Sequence, residues 1–381
     1  MNKEAAYWIA LAHLPRWGHL KINNLIIKFY HENNLSIEDF FQLSENDWKK
    51  QYGIDFKEVE DLKKAKTELT NNAFLAESLD NEGYEIIPIT SPEYSKILKE
   101  NLKTAHAPAL LYVKGNKQVM HEKSIAIVGS RNASDKSLEF TDNIARLASK
   151  EYKVVVSGFA KGVDKQALDS AINYKGQSII VLPQGIMTFG SGFKKYYKQI
   201  VDGDVLVLST FFPKAPWKAE LAMARNPIIY GLADEIYVAE SSDKGGTWSG
   251  VVDGLRKNRK IFIRKPDVYE SNANNLLIQK GAIAVDFNGN HIPEYKPTET
   301  IKTTLIANEQ NVNYESKIIE LLKTGEFAVK DIITKLKLSW SEKKLRDFLN
   351  SNKEVETIKK KPQKFTLKSL IQQQKTLFEQ D

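Results

Sequence analysis

The sequence predicts an α/β fold, a Rossmann-like and mostly parallel sheet with a helical domain before it and a winged helix after it. Three observations carry this prediction. Nine short apolar runs with no polar face alternate with helical stretches between about residues 84 and 287. Strands without a polar face, separated by helices, are what a parallel sheet covered on both sides requires. Before them, from Glu4 to about Asp80, apolar residues recur at three- and four-residue spacings with no strand-like alternation. After them, three amphipathic stretches and a β-prone pair around a basic turn are compressed into about 60 residues.

In chain order, "AAYWIALAHL" and "INNLIIKFYHENN" read as helices parted by "PRWGH", and "DFFQLSENDWKKQYGI" and "EVEDLKKAKTELTNNAFLAESLDNEG" continue the helical pattern. The first segment contains Trp8, His13 and Arg16 and lacks a small-residue cleavage site, so it is expected to be a helix and not a signal peptide. The strand candidates are "YEIIPI", "ALLYV", "SIAIVGS", "KVVVSG", "SIIVLPQG", "VLVLST", "EIYVAE", "KIFIRK" and "AIAV". "FNGNHIPEYKPTETIKTTLIANEQNV" is polar and carries Pro, Asn and Gly, the composition of a linker. "NYESKIIELLKTG", "AVKDIITKLKL" and "SWSEKKLRDFLNSN" then read as helices, and "VETIKKKPQKFTL" as the hairpin of a wing. The expected organisation is a helical domain over 1–83, the sheet domain over 84–290, a linker over 291–312, a winged helix over 313–370 and a tail over 371–381.

Composition narrows the classes of function. With 42% hydrophobic and 27% charged residues the chain has an ordinary globular balance. It has no cysteine, which excludes disulfides and thiolate metal sites and fits a cytoplasmic protein. Its six histidines form no HExxH-type pair, so neither a metal nor a cofactor is expected. No apolar run approaches the ~18–20 residues that cross a bilayer. The net charge of +7 points to an anionic partner, and residues 311–370 hold 14 basic residues against eight acidic ones.

Three stretches carry chemistry. In "SIAIVGSRNAS" a buried strand runs into Gly129, Ser130 and Arg131, where turn amides and a helix dipole collect anions and Arg131 can clamp a phosphate. In "VVVSGFAKGVDKQALDSAI" a second strand ends in Ser157 and Gly158, followed by Lys161 and a helix starting near Asp164, a residue of N-cap type. Two such turns would line one crevice at the carboxyl edge of the sheet. In "RNPIIYGLADEIYVAESSDKGGTWSGV", Arg225 and Asn226 precede a strand whose following loop offers Lys244, Gly246 and Thr247 to a phosphate. Taken singly, these stretches read more readily as ordinary turns, an N-cap and a surface loop than as a site.

In this order the stretches resemble the DprA/Smf family (DNA processing protein A). Its pattern of a strand into GSR, then SG-A-GID, a VLP-x-G turn, RN-x-II-x-GL and N-x-LI-x-x-GA is matched here. The matching segments are 129–131, 157–164, Val181-Leu182-Pro183-Gln184-Gly185, Arg225–Leu232 and Asn275–Ala282. The chain departs from the pattern at Leu168, where the family has histidine, at Pro227, where it has a second arginine, and in the altered loop 245–249.

The resemblance implies a SAM-like N-terminal domain and a homodimer that binds and protects single-stranded DNA. It also implies help in loading a RecA-type recombinase during natural transformation, without catalysis. Arg131 would be the principal phosphate ligand, with Lys194 and Lys195 extending the track and Tyr196 and Tyr197 stacking bases. The winged helix would bring Lys343, Lys344 and Arg346 on its last helix, with Lys360 and Lys361 on the wing, to duplex DNA or a protein partner. Two other classes stay open from sequence. One is an enzyme on nucleotide-like ligands, for which "KGGT" lacks the expected glutamate and Asp253 stands at a different offset. The other is a nucleotide sensor using the same crevice.

Overall fold

The computed structural model describes residues 4–295, 314–336, 338, 340–352, 354–358 and 362–369. It falls into two compact units, Met1–Pro297 and Thr298–Asp381. Among the described residues no helix is long and apolar enough to cross a membrane.

The first unit opens with six helices, α1 (Ala5–Ala12), α2 (His19–Ile26), α3 (Ile37–Gln42), α4 (Glu45–Tyr52), α5 (Phe56–Thr67) and α6 (Leu69–Asn81). A π-helical turn, Ile27–Glu32, follows α2. Capping boxes start three of them, Ser36 with Asp39, Ser44 with Asp47 and Asp55 with Glu58, each satisfying orphan amides of the first turn. These helices do not close a core of their own. Trp8, Leu11, Phe29 and Phe40 share one buried cluster with Tyr112, Ile180 and Val207 of the sheet, and His13 Nε2 lies 2.9 Å from Tyr112 Oη.

The sheet region follows as β1 (Glu85–Pro88), α7 (Lys96–His106), β2 (Leu110–Lys114), β3 (Ser124–Val128), α8 (Asp135–Lys150), β4 (Val154–Ser157) and α9 (Val163–Asn173). It continues with β5 (Ser178–Val181), α10 (Gly190–Lys195), α11 (Tyr197–Val201), β6 (Val205–Ser209) and α12 (Ala219–Gly231). It ends with β7 (Glu235–Val238), α13 (Gly246–Arg256), β8 (Ile261–Arg264), α14 (Asn274–Gln279) and β9 (Ile283–Val285). The nine apolar runs of the sequence are these nine strands.

The strand order is β1-β2-β6-β5-β4-β3-β7-β8-β9. Seven neighbours, from β6 across to β9, pair parallel. β1 and β2 are antiparallel additions beside β6. From β3 the chain steps outward through β4, β5 and β6, then returns to the opposite side of β3 to lay down β7. That reversal opens a crevice at the carboxyl ends of β3 and β7, where α/β sheets of this topology take their ligands.

The second unit has a helix α15 over 314–322, then β10 (Phe327–Ala328), α16 (Val329–Leu336), α17 (Glu342–Ser351), β11 (Val355–Ile358) and β12 (Lys364–Leu367). Its antiparallel sheet has the order β10-β12-β11. Ile318, Ile332, Leu345, Leu349 and Phe365 form the core. This is the winged-helix arrangement read from the sequence. Lys343, Lys344 and Arg346 are exposed on α17, with Lys344 Nζ 4.4 Å from the Trp340 ring centroid. Lys360, Lys361, most of the expected linker and the tail lie outside the described residues.

Ser341 caps α17 by accepting from the Lys344 amide. Ser341→Ala is expected to destabilise this unit by about 1 kcal/mol. Faster hydrogen exchange of the α17 amides, with the sheet of the first unit unchanged, is the corresponding measurement.

Candidate functional site

The three turns that the sequence singles out are tied to one another through their backbones. The Ser130 amide donates to Glu240 O at 2.9 Å, joining the turn after β3 to the end of β7, and the Val163 amide donates to Ser130 O at 3.2 Å, joining it to the start of α9. A Cβ on Gly129 would lie 2.6 Å from Val163 Cγ2, so glycine permits this close approach. The turn hardly needs a ligand to set its shape.

In a dinucleotide-binding sheet, the N-terminus of the helix after the first strand receives the pyrophosphate. Here that position is filled by the protein itself. Glu240 Oε2 accepts from the Ser134 amide at 3.0 Å, from Ser134 Oγ at 2.8 Å and from Ser137 Oγ at 2.8 Å, all at the first turn of α8. The N-terminus of α13, across the crevice, carries no side-chain cap, and its N-cap Gly245 has φ +92°. Lys244 stands before it and Arg131 lies at the opposite lip. Both are exposed, and neither makes an ion pair among the described residues. Uncapped amides and the positive end of a helix dipole, flanked by two cations, form an anion site.

The crevice encloses about 400 Å³. Of the residues expected at the site, Gly129, Ser130, Arg131, Arg225, Asn226, Lys244, Gly246 and Thr247 line it. Ser130 Oγ accepts from the Asn132 amide at 3.1 Å and so also shapes its own turn. Ser157 and Gly158 are buried beneath the crevice. Ser157 Oγ donates to Ile127 O at 2.7 Å, and Gly158 makes room for a guanidinium, since a Cβ there would fall 1.5 Å from Arg225 Nη1.

Lys161 is exposed outside the lining, as is Lys194. Lys195 is held by Asp169 at 2.8 Å, and Tyr196, 3% exposed, donates to the same carboxylate at 2.6 Å. Of the two tyrosines only Tyr197 offers an open ring. Leu168, the departure from the family's histidine, is wholly buried in the core and does not line the crevice, and Pro227 lies in a neighbouring pocket.

The floor holds Arg225, which the sequence singled out, beside Asp164 and Tyr230, which it did not assign to the site. α9 starts at Val163 with Gly162 in the N-cap position, so Asp164 turns inward instead of capping. The amides of Gly129 and Gly158 are directed at its carboxylate, yet burial outweighs them and the charges of Arg225 and Arg131, and the carboxyl is pushed up to about 6. Arg225, 3% exposed, donates from Nη1 to Val181 O at 3.0 Å, while its Nε has no partner. Tyr230, 6% exposed, likewise leaves its hydroxyl unpartnered and rests on Gly250. The G-V-D spacing was the signal for Asp164, but carboxylates are equally at home as caps. Tyr230 sits in "IIYGL", which reads as packing. Among the described residues no group of acids and histidines could hold a metal ion.

A Rossmann-type sheet with its first helix N-terminus self-capped, and an anion crevice on the α13 side of the switch point, defines an anion-binding α/β class of protein. The chain belongs to the DNA recombination-mediator protein A family, whose model matches residues 85–295. This agrees with the ordered motifs read from the sequence.

The chain is 31% identical over 193 residues to a DNA processing protein DprA of Streptococcus pneumoniae, covering 50% of this chain and 68% of that protein. It is 27% identical over 298 residues to a protein Smf of Synechocystis, covering 74% of this chain and 70% of that protein. The X-ray structure of DNA processing protein A from Streptococcus pneumoniae superposes with a TM-score of 0.57 at 22% identity, over 73% of this chain and 93% of the other, a likeness of fold.

Proposed function

We propose that this protein binds single-stranded DNA along the crevice, protects it and helps load a RecA-type recombinase onto it, without catalysis and as a homodimer. The observation that carries the reading is the pair of cations, Arg131 and Lys244, which make no ion pair among the described residues and flank the uncapped α13 N-terminus. Phosphates of a polymer pass across such a site, whereas a dinucleotide would compete with Glu240 for α8. Trp217, 54% exposed just before α12, offers a stacking face for bases. The exposed Lys343, Lys344 and Arg346 of α17 supply a second, separate contact for duplex DNA or a protein partner. The enzyme alternative finds no support in Asp253, which lies outside the crevice and is paired with Lys257 at 2.8 Å.

Anisotropy titrations of labelled oligo-dT across a salt series test this. Affinity is expected to fall steeply with salt, to exceed that for duplex of equal length, and to drop roughly tenfold or more in Arg131→Ala, with the log–log salt slope shallower by about 0.7. Normal oligo-dT binding by Arg131→Ala would remove the assignment.

A further inference from the structure

A phosphate track needs cations at its rim, and the rim has them. It does not need the floor beneath. Arg225 and Tyr230 are each more than nine-tenths buried, line the crevice and carry an unpartnered polar atom. Native proteins leave few buried donors unpaired, and those that remain call for an explanation. Beside them Asp164, 8% exposed, lines the same crevice as an acceptor. A crevice of about 400 Å³ is in the range of small-ligand sites.

Resting on the binding reading above, we infer that the crevice draws one base of the strand onto the floor of Asp164, Arg225 and Tyr230 and selects thymine or guanine over cytosine or adenine. Thymine N3–H and guanine N1–H donate to a carboxylate, and the adjacent O4 or O6 accepts from Arg225 Nε or the Tyr230 hydroxyl. At the same ring position cytosine N3 and adenine N1 present a lone pair, which meets the carboxylate oxygen without a proton between them. A site built to pair with a ligand's N–H rejects the analogue lacking it more strongly than an apolar pocket would. The groups facing Asp164 are Arg225 and Tyr230 from α12 and Arg131 from the β3 turn. On its own helix, Lys165 is engaged with Asp169.

The experiment compares dT and dC dodecamers at about pH 7.5 with the full-length chain. Wild type is expected to bind the dT strand at least about fivefold more tightly, the low end for a specific base contact. Asp164→Asn, whose oxygen stays with the Gly129 and Gly158 amides while its NH2 faces the base, is expected to abolish the preference for the dT strand or reverse it toward dC. Tyr230→Phe keeps the ring on Gly250 and is expected to reduce the preference by weakening the dT strand only. Thermal melts confirm that each variant is folded. Equal binding of the two strands by wild type, or an undiminished preference in Asp164→Asn, overturns the inference. If Arg131→Ala loses binding while wild type shows no preference, the track stands and the base floor falls. If Arg131→Ala binds normally, both fall.

Discussion

Gly162→Ala is expected to cost the fold roughly 3 kcal/mol or more and to abolish oligo-dT binding with it. Gly162 has φ +86°, a region that L side chains rarely adopt, and a Cβ there would stand 2.3 Å from Ser130 O and 2.7 Å from Arg131 O. Both obstacles are backbone atoms, so neither can swing aside as a side-chain tip could. Relief requires moving the turn that presents Arg131, and that turn is bonded to α9 through the Val163 amide. Gly190→Ala is the control, since that position has open space around it and no positive φ. Urea melts and oligo-dT titrations of the two variants check the expectation. Parity between them would show that the turn is softer than its contacts imply.

Asp164→Asn is expected to act in the opposite direction on stability. Burial raises the carboxyl from 3.8 to about 6 in the folded chain. Between these values the folded state holds more protons than the unfolded state, so stability falls as pH rises through that window. Above it the ionised carboxylate costs the fold up to about 3 kcal/mol, from a little over two units at 1.36 kcal/mol each. The amide keeps an oxygen for the Gly129 and Gly158 amides and does not ionise. The variant should therefore be more stable than wild type near pH 7.5 and close to it near pH 4, as read by urea melts at both. Equal stability at both pH values would place the wild-type carboxyl near its ordinary range.

The sheet was largely legible because its strands are buried on both faces, so each is a bare apolar run bounded by turn residues. Strand direction was not. Nothing in "YEIIPI" or "ALLYV" distinguishes an antiparallel edge pair from another parallel strand, since residue type records burial and not polarity of the chain. The crevice was legible as a set of turns at the carboxyl edge, the loop after "EIYVAE" among them. Its exact position was not, because the return crossover through α12 that sets it between β3 and β7 leaves no mark on residue type.

Individual side chains are least legible where a distant partner bears on their role. Lys195 and Tyr196 look basic and aromatic in "GFKKYYKQI", but Asp169 claims both. Glu240 closes a strand as any acid might, and only the fold brings it to Ser134 and Ser137, more than a hundred residues earlier. Asp164 is displaced from its expected task by two residues, because Gly162 takes the N-cap position and the helix starts at Val163.

The borders of the nine-stranded sheet bear on how copies of this chain can meet. β1 is four residues long, ends in Pro88, which has no amide proton to offer, and holds Glu85 in an ion pair with Lys117. At the far border β9 spans three residues, and Val285 is already bridged by His291. Short, proline-ended or covered borders deny a second chain a template for strand addition. Self-association through this sheet's borders is therefore disfavoured, and contacts between copies of the first unit are directed to its helix or loop faces. At this sheet a concentrated solution is accordingly protected from the edge-to-edge stacking that seeds fibrils.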